Sequence, residues 1–229
     1  EKYEDAIQTI EGLLKSDSLG QKAFYLQGLA KFKLGKKSDA AVAFNQSGAL
    51  AFDTNLQEEA QFKSLSISID LGKWTEGLQA IEQFGKKYPN SSFTASYQSF
   101  ASDAILKLTA LQSATTLLKS GIPVSDEMKV AYQTLTYNIG IKTYNKEQYK
   151  EAMTYFDQAI AQAANQNLSD EASFGKAECL SQLKDFDAAI QEYKPLLSGK
   201  HSADFLQRNR IGIAYAYFTV KDFANANTY

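Results

Sequence analysis

The sequence predicts an all-α fold, and three observations carry that expectation. Only three prolines and 13 glycines occur in 229 residues, too few for linkers or a turn-rich β-protein. Ala, Leu, Lys, Gln and Glu, which lose little rotamer freedom in a helix, dominate long stretches. A short pattern also recurs: a large residue, two polar or small ones, a small residue, three more, then a bulky apolar one.

The pattern reads Tyr3, Ala6 and Ile10; Trp74, Gly77 and Ile81; Tyr149, Ala152 and Phe156; Phe186, Ala189 and Tyr193. Weaker copies hold Lys37, Ala40 and Phe44, and Phe223 with Ala226. The small residues at 6, 40, 77, 152, 189 and 226 are separated by 34, 37, 75, 37 and 37 positions. The gap of 75 holds one more unit, because Pro123 follows Pro89 by 34 residues, with Leu108 and Leu111 at the marker positions. Seven registers result.

This pattern resembles the tetratricopeptide repeat, a helix-turn-helix unit of about 34 residues with a W-x2-L-G-x2-Y…A-x3-F…P signature. Phe24, Gly28, Gly35, Ala40 and Phe44 match it in one unit, Gly140, Tyr144, Ala152 and Phe156 in a later one, and Pro89 is the terminal proline. Lys31 stands where tyrosine is usual, Gly77 replaces alanine, and the unit ending at Pro123 keeps little but its length. The resemblance covers essentially the whole chain. It implies one right-handed α-α superhelix over 1–229, of about six to seven registers, incomplete at both ends. Missing end caps suggest a fragment of a longer protein, or ends that pair with other chains in end-to-end self-association. Physical reasoning agrees with the match: helices approach to about 8–10 Å only where side chains are small, as at Gly28, Ala40, Gly77, Gly140, Ala152 and Ala189.

Apolar spacing at i, i+3, i+4 and i+7, with Ser, Thr, Asp or Asn at the starts, gives the elements in order. Helices are expected over 2–15, 20–34, 38–51, 55–71, 75–87, 92–106 and 108–119, then over 126–145, 149–164, 169–183, 187–198, 202–220 and 223–229. No turn residue interrupts 104–111, so a fused or bent helix is the alternative to a break there.

Catalytic and metal chemistry finds little support. With 24 basic against 26 acidic residues and no basic stripe, nucleic acid is not an expected partner. No apolar stretch approaches the roughly 20 residues that span a bilayer. Cys179 alone excludes a disulfide framework or thiolate cage, and reads as a small buried hydrophobe. His201, the one histidine, reads as a solvated loop or cap residue. Glu58, Glu59, Asp126, Glu127, Asp170, Glu171, Asp185 and Asp187 read as helix-start acids that complement the dipole. No phosphate-binding loop, nucleophile elbow or HExxH occurs, so no enzymatic activity and no cofactor are expected.

The resemblance implies a protein-binding scaffold whose first helices line a concave groove. The register points Tyr25, Phe32, Phe62, Tyr137, Ile141, Tyr144, Phe174 and Tyr215 toward it, together with Leu29, Ile69, Ile211 and Phe218. Packing between helices is the competing account of each aromatic. Family members that grip a chaperone's C-terminal carboxylates use Lys and Asn, whereas Tyr25, Leu29, Phe62 and Ser66 occupy those positions here. An apolar peptide or helical segment is the expected ligand. Phe84, Tyr88, Pro89 and Ser91 form a junction similar to that of bacterial cell-envelope members, which places the chain in the periplasm or envelope, with the cytoplasm as the alternative. A structural assembly element and a regulatory domain of a larger protein are the competing functions.

Overall fold

The structure, a computed structural model, describes residues 2–15, 17–109 and 111–229. Among the described residues the regular elements are all helical: α1 (Lys2–Ile10), α2 (Ser18–Lys33), α3 (Lys37–Ala49), α4 (Thr54–Asp70), α5 (Trp74–Lys87), α6 (Thr94–Lys107), α7 (Gln112–Leu118), α8 (Asp126–Tyr144), α9 (Tyr149–Gln162), α10 (Gln166–Gln182), α11 (Phe186–Tyr193), α12 (Ala203–Thr219) and α13 (Phe223–Ala226). The all-α class is therefore observed.

Three boundaries differ from the sequence expectation for identifiable reasons. The first helix gives way at Glu11 to a 3-10 turn that buries none of its residues, so nothing holds it α-helical to 15. A 3-10 turn, Lys194–Leu197, likewise follows α11, where Pro195 lacks the N–H an α-helix would use. Between the helices expected over 92–106 and 108–119 the chain breaks rather than running through as a fused or bent helix, and α7 starts only at Gln112: α6 ends at Lys107, and Leu108 is extended, with φ −71° and ψ 152°. The chain can then reverse, so that α7 packs on α5 and buries Ala114 and Leu117. Ala110, inside the helix expected over 108–119, lies outside the described residues.

The chain divides into two compact units, one of residues 1–108 and 112–128, the other of 109–111 and 129–229. In the first, each helix from α1 to α6 packs on its sequence neighbour; in the second, α8 packs on α9 and the sequential pairing continues to α13. Small residues permit these contacts, as expected. A Cβ on Gly28 would stand 2.8 Å from the Phe44 ring. In the second unit the fully buried Phe156 lies between α8 and α10, and a Cβ would meet its ring at 2.8 Å from Gly140 and 2.7 Å from Gly175. Any larger residue at either site would lever the helices apart.

The turns inside the helix pairs repeat one backbone device. Gly35, Gly72, Glu147, Lys184 and Lys221 all have positive φ, between 62° and 75°. At each, two amides fold back on the helix end; the Gly35 amide donates to Phe32 O and the Lys36 amide to Lys31 O, and the Lys184 amide donates to Ser181 O and the Asp185 amide to Leu180 O. This is the Schellman arrangement, which satisfies the last helical carbonyls through a left-handed residue. Glycine adopts that conformation without strain and lysine does not. Lys184→Gly is expected to raise stability by about 1 kcal/mol, read as a shift of the urea midpoint at unchanged slope.

A second device pins the loops that lead from one pair to the next, and it rests on buried glutamines that hydrophobic periodicity does not reveal. Gln21, fully buried, donates through Nε2 to Leu50 O at 2.8 Å and Asp53 O at 3.0 Å, while its Oε1 accepts the Asp53 amide at 2.8 Å. Gln133, also fully buried, does the same, donating to Ala159 O at 3.0 Å and accepting the Asn165 amide at 2.8 Å. Asp53 and Asn165 are the capping residues of α4 and α10, whose side chains accept from Leu56 N and Leu168 N. One amide thus satisfies the backbone of a tight connection and sets where the next helix starts. Gln133→Leu would strand the Asn165 amide and at least one carbonyl, each at about 1–3 kcal/mol. Denaturant unfolding is expected to show a loss of about 2–4 kcal/mol.

Candidate partner-binding groove

In the second unit the side chains of α10 and α12 enclose a groove of about 340 Å³, lined by Phe174, Glu178, Ser181, Gln182, Tyr193, Arg208, Ile211, Gly212 and Tyr215. Its position follows from local rules. Asn165 caps α10, Ser202 caps α12 by accepting from Phe205 N at 3.1 Å, and Gly212 lets α12 approach α11 closely, since a Cβ there would be 2.6 Å from the Tyr193 ring.

Charge in the groove is arranged asymmetrically. Arg208 forms a two-pronged pair with Glu171, at 2.7 and 3.3 Å, and a third contact with Asp204 at 3.0 Å. Its guanidinium also stacks over the rings of Phe174 and Phe205, at 5.0 and 5.5 Å. The bonds to Glu171 hold it firmly protonated. Glu178 instead accepts a hydrogen bond from the Tyr193 hydroxyl. Burial first, and that bond second, push the Tyr193 phenol far above its usual range.

The sequence-predicted residues separate into two groups. Phe32, Ile211, Tyr215 and Phe218 are exposed, the last three to 61%, 59% and 60%. Apart from Ile69, which is buried, the others are half-buried. Tyr25 donates its hydroxyl to Glu59 and sets its ring edge-on to Phe44. Phe62 stacks on Phe93, with centroids 4.2 Å apart, beside Phe84 and Phe100. Tyr137, Ile141 and Tyr144 pack against the Ala152 and Phe156 cluster, and Phe174 packs against the cluster around Tyr193. Ile69 does not face a groove: it is buried and fills the space that Gly77 leaves open.

Sequence reasoning missed Glu178 and Arg208, and read Glu59 and Glu171 only as helix-start acids. Glu171 was expected at a helix start, but α10 begins at Gln166, which moves it into the second turn and against Arg208. A signal was present: 137 − 25, 171 − 59 and 174 − 62 all equal 112, and Asn55–Phe62 is echoed closely by Asn167–Phe174. Tyr137 stands near Glu171 as Tyr25 stands near Glu59, and in both pairs burial and then the carboxylate raise the phenol. His201 is also not the solvated residue expected. Its side chain is 11% exposed, lies 4.8 Å from the Phe205 ring, and has Nδ1 3.7 Å from Asp170.

Cys179 is buried as expected, and burial, followed by the charge of Glu178, pushes its thiol up to about 12. A thiol-specific reagent at mildly alkaline pH is expected to leave the native chain unlabelled and to modify one equivalent once denaturant is added. Among the described residues no group of three or more potential ligands could hold a metal ion, and no helix is long and apolar enough to cross a membrane. A second cavity, of about 570 Å³, lies in the first unit among α3, α4 and α5, with Gln61, Ser64, Ser68, Glu76, Gln83 and Lys87 in its lining.

Three family models, each described as a tetratricopeptide repeat, match residues 1–53, 59–91 and 145–204. The chain belongs to the tetratricopeptide-repeat family, whose members act as protein-interaction modules. Among solved structures it is similar to the C-terminal part of a repeat protein from Cytophaga hutchinsonii, at 15% identity and TM-score 0.43 over 99% of this chain and 87% of that one. It is also similar to a yeast Sti1 domain pair in complex with an HSP90 peptide, at 14% identity and TM-score 0.35 over 90% and 86%. A Rap protein complexed with Competence and Sporulation Factor shows 15% identity and TM-score 0.38 over 98% and 76%. Identities and scores this low carry no inference about ligand. No curated protein matches the sequence.

Proposed function

We propose that the chain is a non-catalytic scaffold that receives an apolar peptide or helical segment of a protein partner in the α10–α12 groove of its second unit. The observation that carries this reading is the exposure of Ile211 and Tyr215 on the rim of a concave site. Large apolar side chains left in water beside a cavity mark an interaction surface, and aromatic anchors supply most of the energy of such contacts. The half-buried Phe174 provides the floor. The larger cavity of the first unit is lined mainly by amides, hydroxyls and charges, which suits water better than an apolar segment.

Placement in the bacterial periplasm or envelope rests on the junction at Phe84, Tyr88 and Pro89 alone. Packing already accounts for its aromatics, since Tyr88 lies 4.9 Å from Phe84 and Phe84 is buried.

A photocrosslinking residue placed at Tyr215 tests the groove in cells. It is expected to give a defined adduct that the same residue at Val42, exposed on α3, does not give. Ile211→Ala with Tyr215→Ala should weaken binding of the captured partner at least about tenfold and alter stability by no more than about 0.5 kcal/mol. This pair is a cleaner probe than Tyr137→Ala with Tyr144→Ala, because those two tyrosines pack against the Phe156 cluster. Adducts of equal yield at both positions would remove the groove from the reading, and adducts joining two copies of the chain would favour self-association.

A further inference from the structure

Within that groove, Glu178 stands apart from the other charges. The site and its rim hold Glu171, Glu178 and Asp204 against Arg208, so one cation faces three carboxylates and the local sum is 1 − 3 = −2. Arg208 is committed to Glu171 and Asp204. Among the described residues Glu178 forms no ion pair; its partner is the neutral Tyr193 hydroxyl. Beside it the groove offers Gln182, whose amide oxygen can accept a hydrogen bond, and the side chains of Ile211 and Tyr215.

An apolar ligand alone would leave the Glu178 carboxylate desolvated with only the Tyr193 hydroxyl to compensate its charge, which is costly. A long cationic side chain would not. Its methylene stem can lie along Ile211 and the Tyr215 ring while its head reaches the carboxylate, gaining a charge-assisted hydrogen bond and an aromatic contact together. We infer that the groove selects a partner segment in which a lysine or arginine adjoins an apolar anchor, with Glu178 as the acceptor of the cation. This rests on the groove reading above. The first unit provides an internal contrast, because the positions 112 residues earlier than Glu178 and Tyr193 are Ser66 and Ile81, and it therefore lacks the carboxylate at that place.

The test is selection of a displayed library of random peptides on the purified full chain, on Glu178→Gln, and on the Ile211→Ala, Tyr215→Ala double variant, each first shown to be folded by circular dichroism. The wild-type chain is expected to enrich peptides with Lys or Arg next to an aromatic or branched residue. In a synthetic peptide from that pool, replacing the lysine by norleucine should weaken binding about tenfold to the wild type and leave binding to Glu178→Gln nearly unchanged. The double variant should lose both classes of peptide. Enrichment of purely apolar or acidic peptides that still depend on Ile211 and Tyr215 would overturn the cation proposal and leave the groove standing. Enrichment of basic peptides indifferent to Glu178→Gln would also overturn it. A failure to enrich any peptide that depends on Ile211 and Tyr215 would overturn both.

Discussion

A phenyl ring held between two glycine backbones sets the terms for the second unit. Phe156 fills the space where α8 and α10 both lack a side chain, at Gly140 and Gly175, so three helices meet around one ring. Helix pairs of this kind bury their apolar faces only against neighbours, and the depth of that contact decides whether the array is rigid. Phe44 against Gly28 repeats the device in the first unit, and Tyr193 against Gly212 repeats it farther along the second. Each contact also orients the first helix that carries the groove residues.

Close packing would be of little use without connections that restart each helix in the right place. The left-handed turn residue ends the first helix of a pair and reverses the chain over three or four residues. The buried amides of Gln21 and Gln133 then fix the connection to the next pair by bonding its carbonyls and the amide of the capping residue. These polar groups are tolerated in the interior because nearly every donor and acceptor is matched. Their effect reaches the surface: with α10 started at Gln166, Glu171 falls opposite Arg208 and Glu178 falls beneath Tyr193. A start three residues later would turn both carboxylates by about 60° and slide them about 4.5 Å along the helix axis, out of register with Arg208 and Tyr193.

Much of the fold was legible in the residues. Small side chains at 28, 40, 77, 140, 152 and 189 pointed to the places where helices touch, because steric exclusion acts on a residue type directly. The site was only half legible. Spacing put Tyr25, Tyr137 and Phe174 on first helices, yet it does not distinguish a ring that lines a groove from one that packs beneath it; both occupy the same stripe of the helix. Ile69 shows the ambiguity, having been drawn inward by the void at Gly77. His201 shows it for polar groups, since its cover comes from Phe205 and Asp170, one of them 31 positions away.

By itself the sequence determined the helical class, the repeat and its period, and the close-contact positions. Those properties depend on local propensity and on spacing along one chain. Only the tertiary structure decided that the chain breaks at Leu108 rather than running through as one bent helix, that Ile211 and Tyr215 face water, and that Arg208 is committed to Glu171 while, among the described residues, Glu178 has no ion pair. Burial and ion pairing are properties of neighbours brought together from distant positions, and a helical period cannot say which neighbour arrives or how deeply it packs.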